Sequence, residues 1–173
     1  MAIPKKENLH GAIILRITEE LSKANFQFSY FKGSDSAYTF NLLQIKNFLF
    51  SFFNLGKINR KKIGVFIKVS SSRRSPWRYT FSRENQEEIE RMKSSCDITY
   101  ILLRAEDEGV AALSYDQLKK LLDDQFDDTE WVSVEKNYNQ YFRIGGKNAK
   151  LKEKIRIPQN SFPKNIIDDF KSL

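Results

Sequence analysis

The chain has 173 residues with 40% hydrophobic side chains, enough for one domain with a real core, and only seven glycines and four prolines, which excludes collagen-like and Pro-rich classes. One cysteine and one histidine exclude a disulfide framework, a zinc finger and a Cys–His metal cluster. Lys and Arg outnumber Asp and Glu by 29 to 22, a net charge of +7 that points to a polyanionic partner.

Taken in chain order, residues 6–24 read as a helix, because Ile13, Ile14, Ile17, Leu21 and Ala24 recur at spacings of three and four. Phe26, Phe28 and Tyr30 alternate as a short strand. Gly33-Ser34-Asp35-Ser36 is turn chemistry, and residues 37–43 return as the second strand of a hairpin. Residues 44–62 fit no clean element and read as an aromatic and basic insertion carrying a short helix. Residues 63–70, IGVFIKVS, form an apolar, β-branched strand with one internal charge, Lys68. A polar loop, SSSRRSP, leads to a strand over 77–81, and Ser82 is placed to cap a helix running to about Lys93.

Residues 97–105 read as a second core strand, 106–109 as a tight connection and 110–113 as a paired strand. Ser114 caps a helix carrying Leu118, Leu121 and Leu122. A hairpin is expected over 131–144, a strand over 150–157, and a last helix opening at Ser161. The whole is a single α/β (α+β) domain over 1–173, with one mixed central sheet flanked by helices. The start of the chain has no signal-peptide core, and the most apolar stretch, NFLFSFFNL at 47–55, falls far short of the ~20 residues that span a bilayer. A cytoplasmic protein with no membrane partner is the expectation.

The charge is unevenly spread. Residues 57–82 carry eight bases and no acid, residues 136–157 a net +6, and residues 94–135 a net −8. Within the first segment Ser70–Arg78 combines short donors, forked cations and a flat ring, the components of phosphate and base contact. Four Phe within six residues, Phe48, Phe50, Phe52 and Phe53, must pack against the domain or a second copy, which offers a homodimer interface. Other residues carry less. His10 reads as a cap or surface group and Cys96 as a small buried residue. Asp123, Asp124, Asp127 and Asp128 read as a solvated helix end. Gly145-Gly146-Lys147 lacks the rest of a phosphate loop.

The order helix, hairpin, Lys-bearing strand, loop, helix, strand over residues 6–122 resembles the core of the PD-(D/E)xK, or restriction-endonuclease-like, superfamily. Gly64 to Ser70 looks like its central strand, Gln86 to Met92 like the helix behind it, and Ile98 to Leu103 like the next strand. The resemblance implies a nucleic-acid-associated protein, with the C-terminal strand–helix extension at about 129–173 lying outside the core. Active members hold a divalent metal with an Asp on one strand and an acid-x-Lys on the next. Here Phe66 stands where the acid would precede Lys68, and Asp35 is the only acid of the preceding hairpin. The expectation is a DNA- or RNA-binding protein with a degenerate, inactive core and no cofactor. Its contacts would be Arg60, Lys61, Lys62, Lys68, Arg73, Arg74, Trp77 and Arg78. The alternatives are a magnesium-dependent nuclease using Asp35 and Lys68, with Glu19 or Glu20, and a non-catalytic protein-interaction module.

Overall fold

The computed structural model describes residues 5–44, 60–122, 129–136, 141–147 and 153–173. Helix α1 (Lys5–Lys23) leads into the hairpin β1 (Phe26–Lys32) and β2 (Ala37–Gln44), and β3 (Arg60–Val69) follows. Then come β4 (Trp77–Phe81), α2 (Arg83–Ser95) and β5 (Ile98–Arg104), with a 3-10 turn at Glu106–Glu108 leading to β6 (Val110–Ser114). The chain ends in α3 (Tyr115–Lys119), β7 (Glu130–Lys136), β8 (Tyr141–Gly146), β9 (Ile155–Pro158) and α4 (Lys164–Lys171). No helix among the described residues is long and apolar enough to cross a membrane.

The strands form a five-stranded mixed sheet, ordered β1-β2-β3-β5-β6, and a four-stranded sheet, ordered β4-β7-β8-β9. In the mixed sheet β3 and β5 run parallel, with Ile63 opposite Ile98 and Val69 opposite Arg104, while the other neighbours are antiparallel. Both parallel strands are interior, as near-continuous apolar runs require. The α/β class and the mixed central sheet therefore agree with the sequence.

The second sheet is an addition that the sequence does not predict. Along β4, Trp77, Tyr79 and Phe81 are buried while Arg78 and Thr80 are exposed. A strand with one wet face cannot sit inside a sheet covered on both faces. It can lie across such a sheet, and β4 does so, pairing with β7 from Trp77 opposite Val134 to Phe81 opposite Glu130.

Alternation along β3 feeds two cores. Ile63, Val65 and Ile67 face Ile13, Ile14, Ile17 and Leu21 of α1 and Ile166, Ile167 and Phe170 of α4. Phe66, with Ile101 and Leu103 of β5, faces the other way, toward Ile89 and Met92 of α2, Leu118 of α3 and the inward side of the second sheet. Each such side chain stabilises the fold by about 1.5–3 kcal/mol relative to exposure. The result is three layers: helices, mixed sheet, then helices beside a second sheet.

The local signals mostly act as read. The Ser82 hydroxyl accepts from the Asn85 amide at 3.4 Å, and Ser114 and Gln117 form a reciprocal capping box. Three readings change. Arg60, Lys61 and Lys62 belong to β3 rather than to an insertion, because they continue its pairing with β2, Arg60 opposite Leu43. The last helix opens at Lys164, since the residue before a proline disfavours helical geometry, and Ser161 instead donates to the Pro158 carbonyl at 2.8 Å. His10 is 2% exposed, not a surface cap: its Nδ1 lies 3.1 Å from the Tyr38 hydroxyl beneath α1. Cys96 is a buried free thiol, as read. The aromatic run at 47–55, with Phe48, Phe50, Phe52 and Phe53, lies outside the described residues, as do Asp123, Asp124, Asp127 and Asp128.

The second sheet is seated against the end of α3 by a missing side chain. A Cβ on Gly146 would stand 2.3 Å from the Leu121 carbonyl oxygen, whereas one on Gly145 would meet the Lys154 side chain at an ordinary 3.6 Å. We predict that Gly146→Ala lowers unfolding free energy by about 1–3 kcal/mol, as overpacking against backbone does. Gly145→Ala should cost nothing and gain up to about 1 kcal/mol from reduced chain entropy. Urea unfolding of the two variants, followed by circular dichroism, checks the contrast.

Candidate nucleic-acid interface

The predicted contact residues fall in four separate places. Arg60, Lys61 and Lys62 stand at the start of β3, and Arg73 and Arg74 lie beyond its far end, about 30 Å away along a ten-residue strand. Lys61 leans over the Phe170 ring at 5.7 Å, and the Lys62 amide donates to the Asp97 carboxylate at 2.6 Å. These three side chains thus do not join the other arginines in one patch.

Lys68 and Trp77 lie within the layers. Lys68 shares its face of β3 with Phe66, which is fully buried. Its ammonium donates to Asn85 Oδ1 at 2.7 Å and lies 5.4 Å from the centre of the Phe81 ring. Helix α2 holds Lys68 by its first turn. Trp77 is 2% exposed, and its indole has no free face for stacking on a base, because β4 turns it toward the mixed sheet.

Asp35 occupies the turn between β1 and β2. The pairing of Ala37 with Phe66, extended by the Ile67 amide donating to the Ser36 carbonyl at 2.8 Å, brings Asp35 to the position opposite Lys68. The two side chains nevertheless part: the Asp35 carboxylate, 88% exposed, pairs with Lys32 at 3.4 Å. Glu19 and Glu20 are on α1, which covers the opposite face of the sheet from Lys68, and Glu20 pairs with Lys23. Among the described residues no three His, Cys, Asp or Glu side chains converge as metal ligands. Of the described residues that such a site would use, Asp35 pairs with Lys32 and Lys68 donates to Asn85.

Arg73 and Arg74 occupy the rim where the parallel strands end. Their loop is braced by its own serines: the Ser72 amide donates to Ser70 Oγ at 3.2 Å, and Ser72 Oγ donates to the Arg74 carbonyl at 2.7 Å. Ser75 Oγ accepts from the Lys136 amide at 3.0 Å, tying the loop to the end of β7. These serines therefore shape the loop; only Ser72 spends its hydroxyl proton within it, since Ser70 and Ser75 accept. The arginine side chains are exposed, with no ion pair between them and any described residue.

The rim is not purely basic. Arg73, Arg74, Ser75 and Trp77 line a cleft of about 380 Å³ together with Lys136 and the acidic turn Glu106, Asp107 and Glu108. Two of those acids already have cations. Glu108 pairs with Lys136, and Asp107 lies 3.9 Å from an Arg104 guanidinium nitrogen. Glu106 is the remaining acid against two arginines. Nothing in the local sequence shows that the most basic and most acidic segments meet here, because their meeting depends on the parallel pairing. A larger cavity of about 540 Å³ lies between α1 and the β1–β2 hairpin, lined by Ile14, Tyr30, Lys32 and Tyr38, and holds none of the predicted basic contacts.

Arg78 points away from the rim, onto the outer face of the second sheet, where its guanidinium carbon lies 4.5 Å from the centre of the Trp131 ring. Trp131 and Lys136 are missed as functional candidates in the sequence. The period-two pattern of residues 130–136 is the signal that separates the outward Trp131 from its buried neighbour Val132. No known protein family, curated protein or solved structure matches the chain.

The rim turn is fastened to the second sheet by Tyr79, whose hydroxyl donates to the Arg104 carbonyl at 2.6 Å. Burial pushes the Tyr79 phenol well above its ordinary range, and the Glu106 charge adds to that. Burial likewise raises Tyr100, which also donates to the Asp169 carboxylate. A raised phenol favours the folded state while protonated. Its contribution is complete below the unfolded value near pH 10 and is lost as pH rises beyond it. Stability should therefore fall above about pH 10, and less steeply in Tyr79→Phe and Tyr100→Phe. Urea unfolding at several alkaline pH values measures both slopes.

Proposed function

We propose that this is a nucleic-acid-binding protein that grips a phosphate backbone at the rim beyond β3 and β5, without cleaving it. The observation that carries the reading is the pair Arg73 and Arg74. Their loop is held by serine hydrogen bonds, and both guanidinium groups remain outside any ion pair among the described residues. Arg binds phosphate bidentately, so two exposed forks on a braced loop suit consecutive phosphates. The acidic turn does not cancel this, since Asp107 and Glu108 already face Arg104 and Lys136. Support for the nuclease-like ancestry comes from the element order: α1, hairpin, Lys68-bearing β3, crossover, α2, then β5 parallel to β3.

A second reading, a metal-dependent nuclease with a migrated site, draws on the register that brings Asp35 opposite Lys68. It requires Asp35 to leave Lys32 and Lys68 to leave Asn85, and it still lacks a carboxylate at Phe66.

Two outcomes test these readings. Replacing Arg73 and Arg74 together by Ala should weaken binding to all sequences alike, because phosphate contacts position rather than specify. The dependence of log affinity on log salt should become shallower by about 1 per arginine removed. Equal affinities and slopes for the two proteins, against duplex DNA, single strands and RNA, would dismiss the rim. No cleavage is expected on incubation with magnesium or manganese. Robust cleavage lost on chelation and again in Lys68→Ala would establish the nuclease reading instead.

A further inference from the structure

The second sheet has one face packed against the mixed sheet and one face open to water. Register and burial define the open face. Val132, Val134, Phe142, Ile144 and Ile157 point inward, so their neighbours Trp131, Arg143 and Arg156 point outward with Arg78 of β4. Arg143 lies directly opposite Arg156, and Ile144 opposite Ile155 brings Lys154 beside Gly145, where its side chain lies within van der Waals reach of the position a Cβ would take. The outward acid from β7, Glu135, is paired with Lys154 at 2.5 Å. Arg78, Arg143 and Arg156 therefore leave this face positive.

Two aromatic rings stand on the same face. Tyr141 is 43% exposed, one of few large apolar side chains so exposed among the described residues. Trp131 is half-buried, with Arg78 over its ring. Because Phe142 pairs with Lys136, Tyr141 lies about 20 Å from Trp131 along the strands, with Arg143 and Arg156 between.

We infer that this open face binds single-stranded nucleic acid, with bases stacking on Trp131 and Tyr141 and phosphates meeting Arg143, Arg156 and Arg78. The inference rests on the nucleic-acid reading above only for the class of polyanion, and uses a different surface and a different contact. Charge complementarity selects a polyanion. The rings select among polyanions: a duplex keeps its bases stacked inside, whereas a single strand offers its π-faces to aromatic side chains and guanidinium planes. An acidic polypeptide satisfies the arginines but offers neither ring a base to stack on.

The test uses the full chain and its two tryptophans. Trp77 is buried, so Trp77→Phe leaves Trp131 as the reporting indole. Titrating a thymidine or uridine oligonucleotide of about a dozen nucleotides, within the span of such sites, should quench Trp131 emission. Tyr141→Ala, a change outside both cores, should weaken oligonucleotide binding by about 5- to 150-fold in the otherwise unchanged chain and leave duplex affinity within about twofold. Quenching by only the thymidine or only the uridine oligonucleotide also supports the face. Equal quenching by polyglutamate, which has no bases, would overturn the stacking inference, as would unchanged oligonucleotide affinity in Tyr141→Ala. If Arg73→Ala/Arg74→Ala abolishes oligonucleotide binding while Tyr141→Ala does nothing, the rim reading survives and this one fails. The reverse result sinks the rim and keeps the face.

Discussion

Two parallel strands cannot be joined by a tight turn. The pairing of β3 with β5 therefore obliges residues 70–97 to leave the sheet, cross one of its faces and come back. That excursion contains β4, which forms one edge of the second sheet, and α2, which packs beside it on the mixed sheet. It also delivers the C-terminal ends of both strands to one rim, where the backbone turns outward and side chains from distant parts of the chain become neighbours. The basic loop after β3 and the acidic turn after β5 are adjacent for this reason alone.

The electrostatics follow from that geometry rather than from the net charge. A sum of +7 conceals a rim where cations and carboxylates partly satisfy one another, and an open sheet face where the cations outnumber the carboxylates. At the rim, Lys136 and Arg104 occupy two acids and so leave Arg73 and Arg74 uncommitted. On the open face Lys154 occupies Glu135, leaving three arginines near the half-buried Trp131 and the exposed Tyr141. Each pair is partly solvated and adds little to stability. Its effect is to determine which neighbouring cations face a ligand without competition.

Much of the fold is legible in the residues because the informative features are local. The apolar runs at 63–70 and 97–105, the caps Ser82 and Ser114, and the helical spacing of Ile13, Ile17 and Leu21 act within a few residues of themselves. What is not legible depends on distant partners. Alternation in β4 shows that one face is buried, but not which sheet buries it. Trp77 reads as a stacking ring until β4 is turned inward. Arg60, Lys61 and Lys62 look like a basic loop, yet their backbone groups complete a ladder with β2. His10 looks like a surface residue because the hydroxyl that meets it, on Tyr38, is 28 residues away. The candidate interface suffers most, since a patch is made by neighbours in space and the sequence orders them only along the chain.

One absence of matter sets the geometry around Lys68. Gly64 lies four residues before it on the same face of β3, and a Cβ there would come within 2.4 Å of Met92 Cγ and 3.2 Å of Cys96 Sγ. Helix α2 rests against the strand at that point and carries, about two turns nearer its start, the Asn85 that holds Lys68. The helix is thus a lever with its fulcrum on a glycine and its working end on an ammonium group. The flexible thioether of Met92 serves as the shim, so a change in the size of either sulfur side chain would tilt the lever and move the lysine's anchor without altering any charged residue.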